Sequence, residues 1–315
     1  MSAIARYAAK KILIGIPVIL SLTLLIFFLM RLVPGDPIHT IIPSQRELPK
    51  DKIEELKIAW GLDEPIYVQY FYWLSHLMRG DLGTCFLTKQ PVSFLILTRL
   101  PFTLKLTFSS LFLAYIIGIP VGIIAALKRG TLFESFVMGF TVFVYSMPSY
   151  WLALILMLVF GLYLGIFPIS GISGPYSMIL PTVTLAFPSV AYIAKLTRTE
   201  MVEVLTEDFV RTAWAKGLPS RIVILKHALR NALIPVTVMF FLDVPWVISG
   251  AIIVETVFAW PGMGALFTRG IFRQDYPVVQ AIILVIGILT VICNILGDIA
   301  SAYLDPRIRL EKERL

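Results

Sequence analysis

Charge is what this sequence has little of. Only 15% of its 315 residues are acidic or basic, 58% are hydrophobic, and the mean hydropathy is +0.85. Soluble globular chains carry about 25% charged residues. The shortfall excludes an ordinary water-exposed surface and points to an integral membrane protein, whose length counts spans rather than soluble domains. Cysteine is limited to Cys85 and Cys293. One lies in a polar region and the other in an apolar run, so they should not pair, and they offer no metal-ligand spacing. Histidine occurs three times, at 39, 76 and 227. His39 and His76 are scattered and read as surface residues, so no metal site is expected. G-x-x-x-x-G-K-[ST], H-E-x-x-H and G-x-S-x-G are all missing. The chain therefore has no phosphate cradle of the usual kind, and no catalytic residue or cofactor of its own is expected. The net charge of +7 invites a nucleic-acid partner. The basic residues cluster beside the apolar runs, where orientation in membrane lipid explains them, and we reject that reading.

Uncharged runs are what the chain has instead. Ile12–Met30 is long enough for one span. It follows Arg6, Lys10 and Lys11 but is too long for a signal h-region, so an uncleaved first span is expected. Leu106–Leu127 is the second. Residues 135–194 hold no charge, and Pro168, Gly171, Gly174 and Pro175 divide them into a third span near 136–166 and a fourth near 179–197. Ala232–Val254 is the fifth and Val278–Gly297 the sixth. With the N-terminus inside, the inner segments collect most of the 27 lysines and arginines, and the outer loop 168–178 has none. Both termini are then cytoplasmic. No internal repeat or low-complexity segment is evident.

Residues 33–101 read as a small helical insert outside the membrane. Ile53, Leu56 and Trp60 make one stripe, stopped by Gly61. A second helix after Pro65 carries Tyr67, Tyr70, Phe71, Leu74, Leu77 and Met78 on a broad apolar face.

Three further stretches hold candidate functional residues. In the first, residues 206–235, Thr206 reads as an N-cap with Glu207 and Asp208 in the first turn. Phe209, Val210, Ala213 and Trp214 share a face, Gly217 is an αL cap, and Pro219 and Ser220 open a basic second helix to Arg230. Such a small-residue corner can enter a groove on another protein; the blander reading is a basic helix pair lying on anionic head groups. The second is Asp243, inside the fifth span. A charge at bilayer depth costs roughly 2.5–3.5 kcal/mol, so it should face the bundle interior or an aqueous path. Pro245 is expected to break the helix there and free a carbonyl. Capping of that break, or a contact with a partner subunit, is the equal alternative. Met147 and Pro148 form a weaker polar break on the same candidate path. Asp298 needs no more than solvation or a helix contact. In the third, Trp260, Pro261, Gly262 and Gly264 make a turn before a short helix at 265–272.

These stretches also carry a resemblance. AWAKG at 213–217 and HALRNALIP at 227–235 resemble the coupling loop of ABC-importer permeases, and more narrowly of the dipeptide/oligopeptide/nickel family. RLVPGDP at 31–37, GLDEP at 61–65, GDLG at 80–83, RLPFTL at 99–104, VETVFAWPGMGALF at 254–267, RQDYPVVQ at 273–280 and DPRIR at 305–309 extend it over nearly the whole chain. Trp214 departs from it, standing where the family often has a basic residue.

The resemblance implies an all-α membrane protein of six transmembrane helices. The expected parts are the N-terminus and helix 1 at 1–32, an extracytoplasmic helical insert at 33–101, a five-helix core at 102–304, and a cytoplasmic tail at 305–315. The coupling loop, 198–230, lies between helices 4 and 5. It implies docking on an ATPase subunit through Arg211, Ala213, Ala215, Lys216, Gly217, Leu218 and His227. Trp260, Pro261, Gly262 and Gly264 become an outer gate near the binding-protein face. The implied partners are a homologous second permease subunit, two ABC ATPase subunits that bind ATP and Mg, and an extracytoplasmic substrate-binding protein. The setting is a bacterial or archaeal cytoplasmic membrane. Peptides carried by alternating access are the first expectation, nickel or a nickel chelate the second, and glutathione-like peptides the third. An ion-coupled secondary transporter would need charges in several spans, and a membrane enzyme would need clustered polar groups.

Overall fold

A computed structural model describes residues 3–32 and 64–304. Apart from one bridge between Thr84 and Pro91, the described residues form helices and their connections. Helix α1 is Ala3–Leu32, α2 is Ile66–Met78, α3 is Val92–Leu127, α4 is Leu132–Tyr145, and α5 is Ser149–Leu156, which continues through a π-helical stretch to Tyr163. Helix α6 is Ile179–Leu205, α7 is Asp208–Ala215, and α8 is Ser220–Ile222, joined by a π-helical turn to α9, Leu229–Val257. Helices α10, Met263–Phe272, and α11, Tyr276–Leu304, complete the chain.

Among the described residues, five helical stretches are long and apolar enough to cross a membrane. The single helix expected near 136–166 is corrected. That stretch is the pair α4–α5, bent by 100° at Ser146, Met147 and Pro148, and it makes a sixth span when the pair is counted as one crossing. Pro148 cannot continue α4 and instead sits extended ahead of α5. The second span also begins earlier than the apolar run suggests. Helix α3 starts at Val92 and passes through Arg99, Pro101 and Lys105, and its first turns pack Val92, Leu95 and Ile96 on Met263 of α10 and on Val278, Ala281 and Ile282 of α11. The expected stripe of Ile53, Leu56 and Trp60 lies outside the described residues.

The most extensive helix contact among the described residues is between α3 and α6. Gly118 and Gly122 cause it. A Cβ at Gly122 would stand 2.5 Å from the Ala194 carbonyl oxygen and 2.6 Å from Thr197 Cβ, and one at Gly118 would lie 2.9 Å from Ile193. Two glycines four apart thus let the backbones meet. Helix α1 is peripheral. It touches α11 and α2, and presents Leu13, Leu25 and other apolar side chains outward. One end of the bundle is marked by the ion pair of Lys11 with Asp298, and by Arg198, whose guanidinium grips Glu134 (Nε to Oε1, 2.8 Å). At the other end α2 rests on α1: Tyr70 meets Thr23 at 3.0 Å and Gln69 accepts from Arg31. The broad face expected on α2 divides, with Tyr70 buried and Tyr67, Phe71 and Met78 exposed. Helix α10 is bounded by two non-glycine residues in the left-handed region, Ala259 (φ 49) and Gln274 (φ 52).

A Gly122→Leu substitution is expected to cost at least about 3 kcal/mol, because a backbone carbonyl cannot move aside. Gly139→Leu, with no atom within 4 Å of its Cβ, serves as the tolerant control. Thermal unfolding in detergent checks the pair; equal midpoints would refute the packing argument.

Candidate functional site

The corner at 206–230 is built by capping. Helix α6 extends to Leu205, so Thr206 ends that helix instead of opening the next, and its hydroxyl donates to the Glu203 carbonyl at 2.7 Å. Glu207 takes the N-cap position of α7 with extended backbone, correcting the assignment of that role to Thr206. At the other end Gly217 adopts φ +71, as expected. The Gly217 N–H donates to the Trp214 carbonyl (2.9 Å) and the Leu218 N–H to that of Ala213 (3.4 Å). This is the Schellman arrangement, and its two bonds satisfy carbonyls that the helix end leaves free.

Beneath the cap lies a small core. Val210, Ala213, Val223, Ala228 and Ala232 pack on Met201 of α6 and Ala126 of α3, with Leu218 against them. The expected shared face is narrower than the sequence suggests. Val210 and Ala213 point inward, while Phe209 and Trp214 are 43% and 44% exposed. Arg211, Ala215, Lys216 and Gly217 are exposed, and Arg211 pairs only with Asp208, at 3.4 Å. His227 lies half-buried in the π-helical turn, where its carbonyl accepts from Asn231 (2.8 Å). No atom lies within 4 Å of a Cβ built on Gly217. The glycine is needed for its backbone conformation, and the tip is open.

Asp243 lies mid-way along α9, only 8% exposed. The Tyr115 hydroxyl of α3 donates to its carboxylate at 2.9 Å. Pro245 does not break the helix; α9 runs unbroken through both Pro235 and Pro245. A proline removes one donor, and packing by neighbouring helices keeps the remaining ladder regular. Phe108, Ser109, Phe112, Tyr115 and Phe240 line a cleft of about 450 Å³ beside this pair. Met147 and Pro148 do not line it; they sit at the α4–α5 bend. Among the described residues no group of three His, Cys, Asp or Glu side chains could hold a metal ion.

At the other end the WPGMG turn is held from behind by Glu255, which is fully buried. Its carboxylate accepts from Thr103 Oγ1 (2.6 Å), the Gly264 N–H (2.7 Å) and the Ala265 N–H (3.3 Å), while Thr103 Oγ1 accepts from the Met263 N–H (2.8 Å). Three successive amides at the start of α10 are thereby satisfied by one acid and one hydroxyl. A Cβ on Gly262 would collide with that carboxylate, which explains the glycine. Trp260 is buried and donates from Nε1 to the Phe102 carbonyl at 3.2 Å, while Pro261 is half-buried. Nearby, Asp275 accepts from Cys85 Sγ and the Phe86 N–H, both at 2.9 Å, tying loop 83–91 to the start of α11.

Sequence reasoning named the glycines of this turn but missed Glu255, Thr103, Tyr115 and Asp275. The signal for Glu255 was available. It stands one residue past the expected end of the fifth span, and the argument applied to Asp243 applies there too. Glu255→Ala is expected to leave buried amides unpaired and to cost about 3 kcal/mol. Glu255→Gln, which keeps one acceptor, should cost less, as read from melting of the purified protein. Equal melting of the wild type and the alanine variant would remove the latch from the argument.

The family described as "Binding-protein-dependent transport system inner membrane component" matches residues 118–310, and its N-terminal counterpart matches 4–107. The oligopeptide transport system permease protein AppB of Bacillus subtilis is 39% identical, covering 96% of this chain and 99% of that protein. The di/tripeptide transport system permease protein DppB of Pseudomonas aeruginosa is also 39% identical, at 97% and 99% coverage. The dipeptide permease DppB of Escherichia coli K12 is 33% identical, at 98% and 99%. A chain of the inward-facing MetNI methionine ABC transporter superposes with a TM-score of 0.58 at 19% identity, over 67% of this chain and 97% of that one, and shares the fold. On these matches the chain belongs to the binding-protein-dependent transport system inner membrane components, a family of multi-pass membrane permeases.

Proposed function

We propose that this chain is the membrane-spanning permease subunit of an ATP-driven importer that moves peptides by alternating access. The observation that carries the reading is the corner at 206–230. It is rigidly capped, packed on α3 and α6, and bare at its tip. Exposed Phe209 and Trp214 flank that tip, and an apolar pair of this kind outside a membrane span suits a protein groove better than water. The names of the 39% identical relatives, oligopeptide and di/tripeptide permeases, support peptide as the substrate class.

The engine lies elsewhere. Two ABC ATPase subunits bind ATP and Mg and receive Arg211, Ala213, Ala215, Lys216, Gly217, Leu218 and His227. A homologous second permease completes the path, and an extracytoplasmic binding protein delivers the peptide to the side of Trp260, Pro261, Gly262 and Gly264. Closure of the ATPases draws the corners together. Helices α6 and α9, which flank the corner, carry that movement to Asp243 and to the Glu255 latch. The basic residues near Lys11 and Lys216 support a cytoplasmic setting for both termini and the corner.

Gly217→Trp is expected to leave membrane insertion intact, because open space surrounds the tip, while uptake and substrate-stimulated ATP hydrolysis fall to background in the reconstituted complex. Gly217→Ala isolates the backbone strain, about 1 kcal/mol, and should retain most activity. Normal uptake by the tryptophan variant would refute the docking role. Topology has its own check. A cysteine at Lys216 should react with an impermeant thiol reagent only from the cytoplasmic side, and one at Lys89 only from outside. The reverse pattern would invert the assignment.

A further inference from the structure

Asp243 has a requirement that the described residues meet only in part. A carboxylate at bilayer depth needs a cation or several donors to offset its lost hydration. The geometry gives it the Tyr115 hydroxyl at 2.9 Å. Among the described residues no lysine, arginine or histidine nitrogen lies within ion-pair range of it. An ionised carboxyl group can accept about four hydrogen bonds, so most of that capacity remains open.

What surrounds the acid is selective. The rings of Tyr115 and Phe240 meet edge to face with centroids 5.4 Å apart, and Phe108 and Phe112 continue the wall of the cleft. Phe108 is 47% exposed and Phe112 68%. Aromatic faces carry a negative quadrupole; they repel anions and attract ammonium groups. An acid placed among such rings favours a cation on both counts. The cleft's 450 Å³ lies inside the range of about 300–1,000 Å³ typical of small-molecule sites.

We propose that Asp243, oriented by Tyr115 and walled by Phe240, Phe108 and Phe112, is a subsite for the protonated amino group of the transported peptide. The proposal rests on the peptide-import reading above. Its chemistry fits a carrier of varied peptides. Side chains differ from one peptide to the next, but a terminal ammonium is common to them, and a site that reads it is indifferent to sequence. Tyr115 is a positioning residue here: it lines the cleft, and its hydroxyl holds Asp243 Oδ2 at 2.9 Å.

The test uses the complete importer, with its ATPases and binding protein, in proteoliposomes. The probe is labelled dialanine with a free amino terminus, at saturating binding protein. The readout is peptide imported per ATP hydrolysed, alongside recovery of the assembled complex by size-exclusion chromatography. Asp243→Asn is expected to lower that ratio by about tenfold, the scale of a lost charge-assisted hydrogen bond. Asp243→Glu should restore much of it, and Tyr115→Phe and Phe240→Leu should give intermediate losses. An Asp243→Asn complex that imports dialanine at the wild-type ratio would overturn the subsite. Poor recovery of that complex would also overturn it, since the acid would then be pairing with a basic group of the second permease. A wild-type complex that hydrolyses ATP in response to its loaded binding protein yet imports no dialanine would refute peptide import itself, and the subsite with it.

Discussion

The close approach of α3 and α6 is the constraint on which the rest depends. At 36 residues, α3 is a rod of about 54 Å. One end supplies Thr103 to the Glu255 latch, its middle supplies Tyr115 to Asp243, and its last turn puts Ala126 into the core of the corner. Gly118 and Gly122 let α6 lie directly against it. Only Thr206 and Glu207 separate α6 from α7, and Met201 of α6 and Ala126 of α3 both enter the corner's core, so the corner is seated directly on the α3–α6 pair. Three places of functional interest are thus mounted on one element.

Polar groups in this bundle follow a single rule. Hydrocarbon supplies no hydrogen bonds, so each buried acid must find its donors inside the protein. Glu255 finds a hydroxyl and two amides, Asp275 a thiol and the Phe86 amide, and Glu134 the Arg198 guanidinium together with the Gly130 N–H. Each of these acids joins separate segments: Glu255 brings α3 and α10 together at the end of α9, Asp275 ties loop 83–91 to α11, and Glu134 ties α4 to α6. Asp243 is the thinly provided member of the group, with Tyr115 as its side-chain donor among the described residues.

Much of this was legible in the sequence, and the misses have physical causes. Long uncharged runs reveal spans because hydrocarbon tolerates little else, so five were located correctly. The α4–α5 bend was obscured because two short apolar helices and one long one have the same composition; only Pro148 marks the difference. Gly217 was readable because a glycine after Ala213, Trp214 and Ala215 has one common use. Thr206 was misassigned because threonine serves at either end of a helix, and α6 ran further than its apolar face. Pro245 misled because proline breaks helices in water more readily than in a packed bundle. Glu255 escaped notice because its partners, Thr103 and the amides of α10, come together only in three dimensions.

The two left-handed residues around α10 have a consequence for how the chain changes direction. Ala259 follows the end of α9 and Gln274 the end of α10, each in a backbone region that a side chain disfavours by roughly 1–2 kcal/mol. Each is held there by amides that reach back to its own helix: the Trp260 N–H donates to the Glu255 carbonyl and the Asp275 N–H to the Gly270 carbonyl, both at 2.8 Å. The exit angle from each helix is thus set by backbone bonds, so that α10 is moored at both corners rather than hinged.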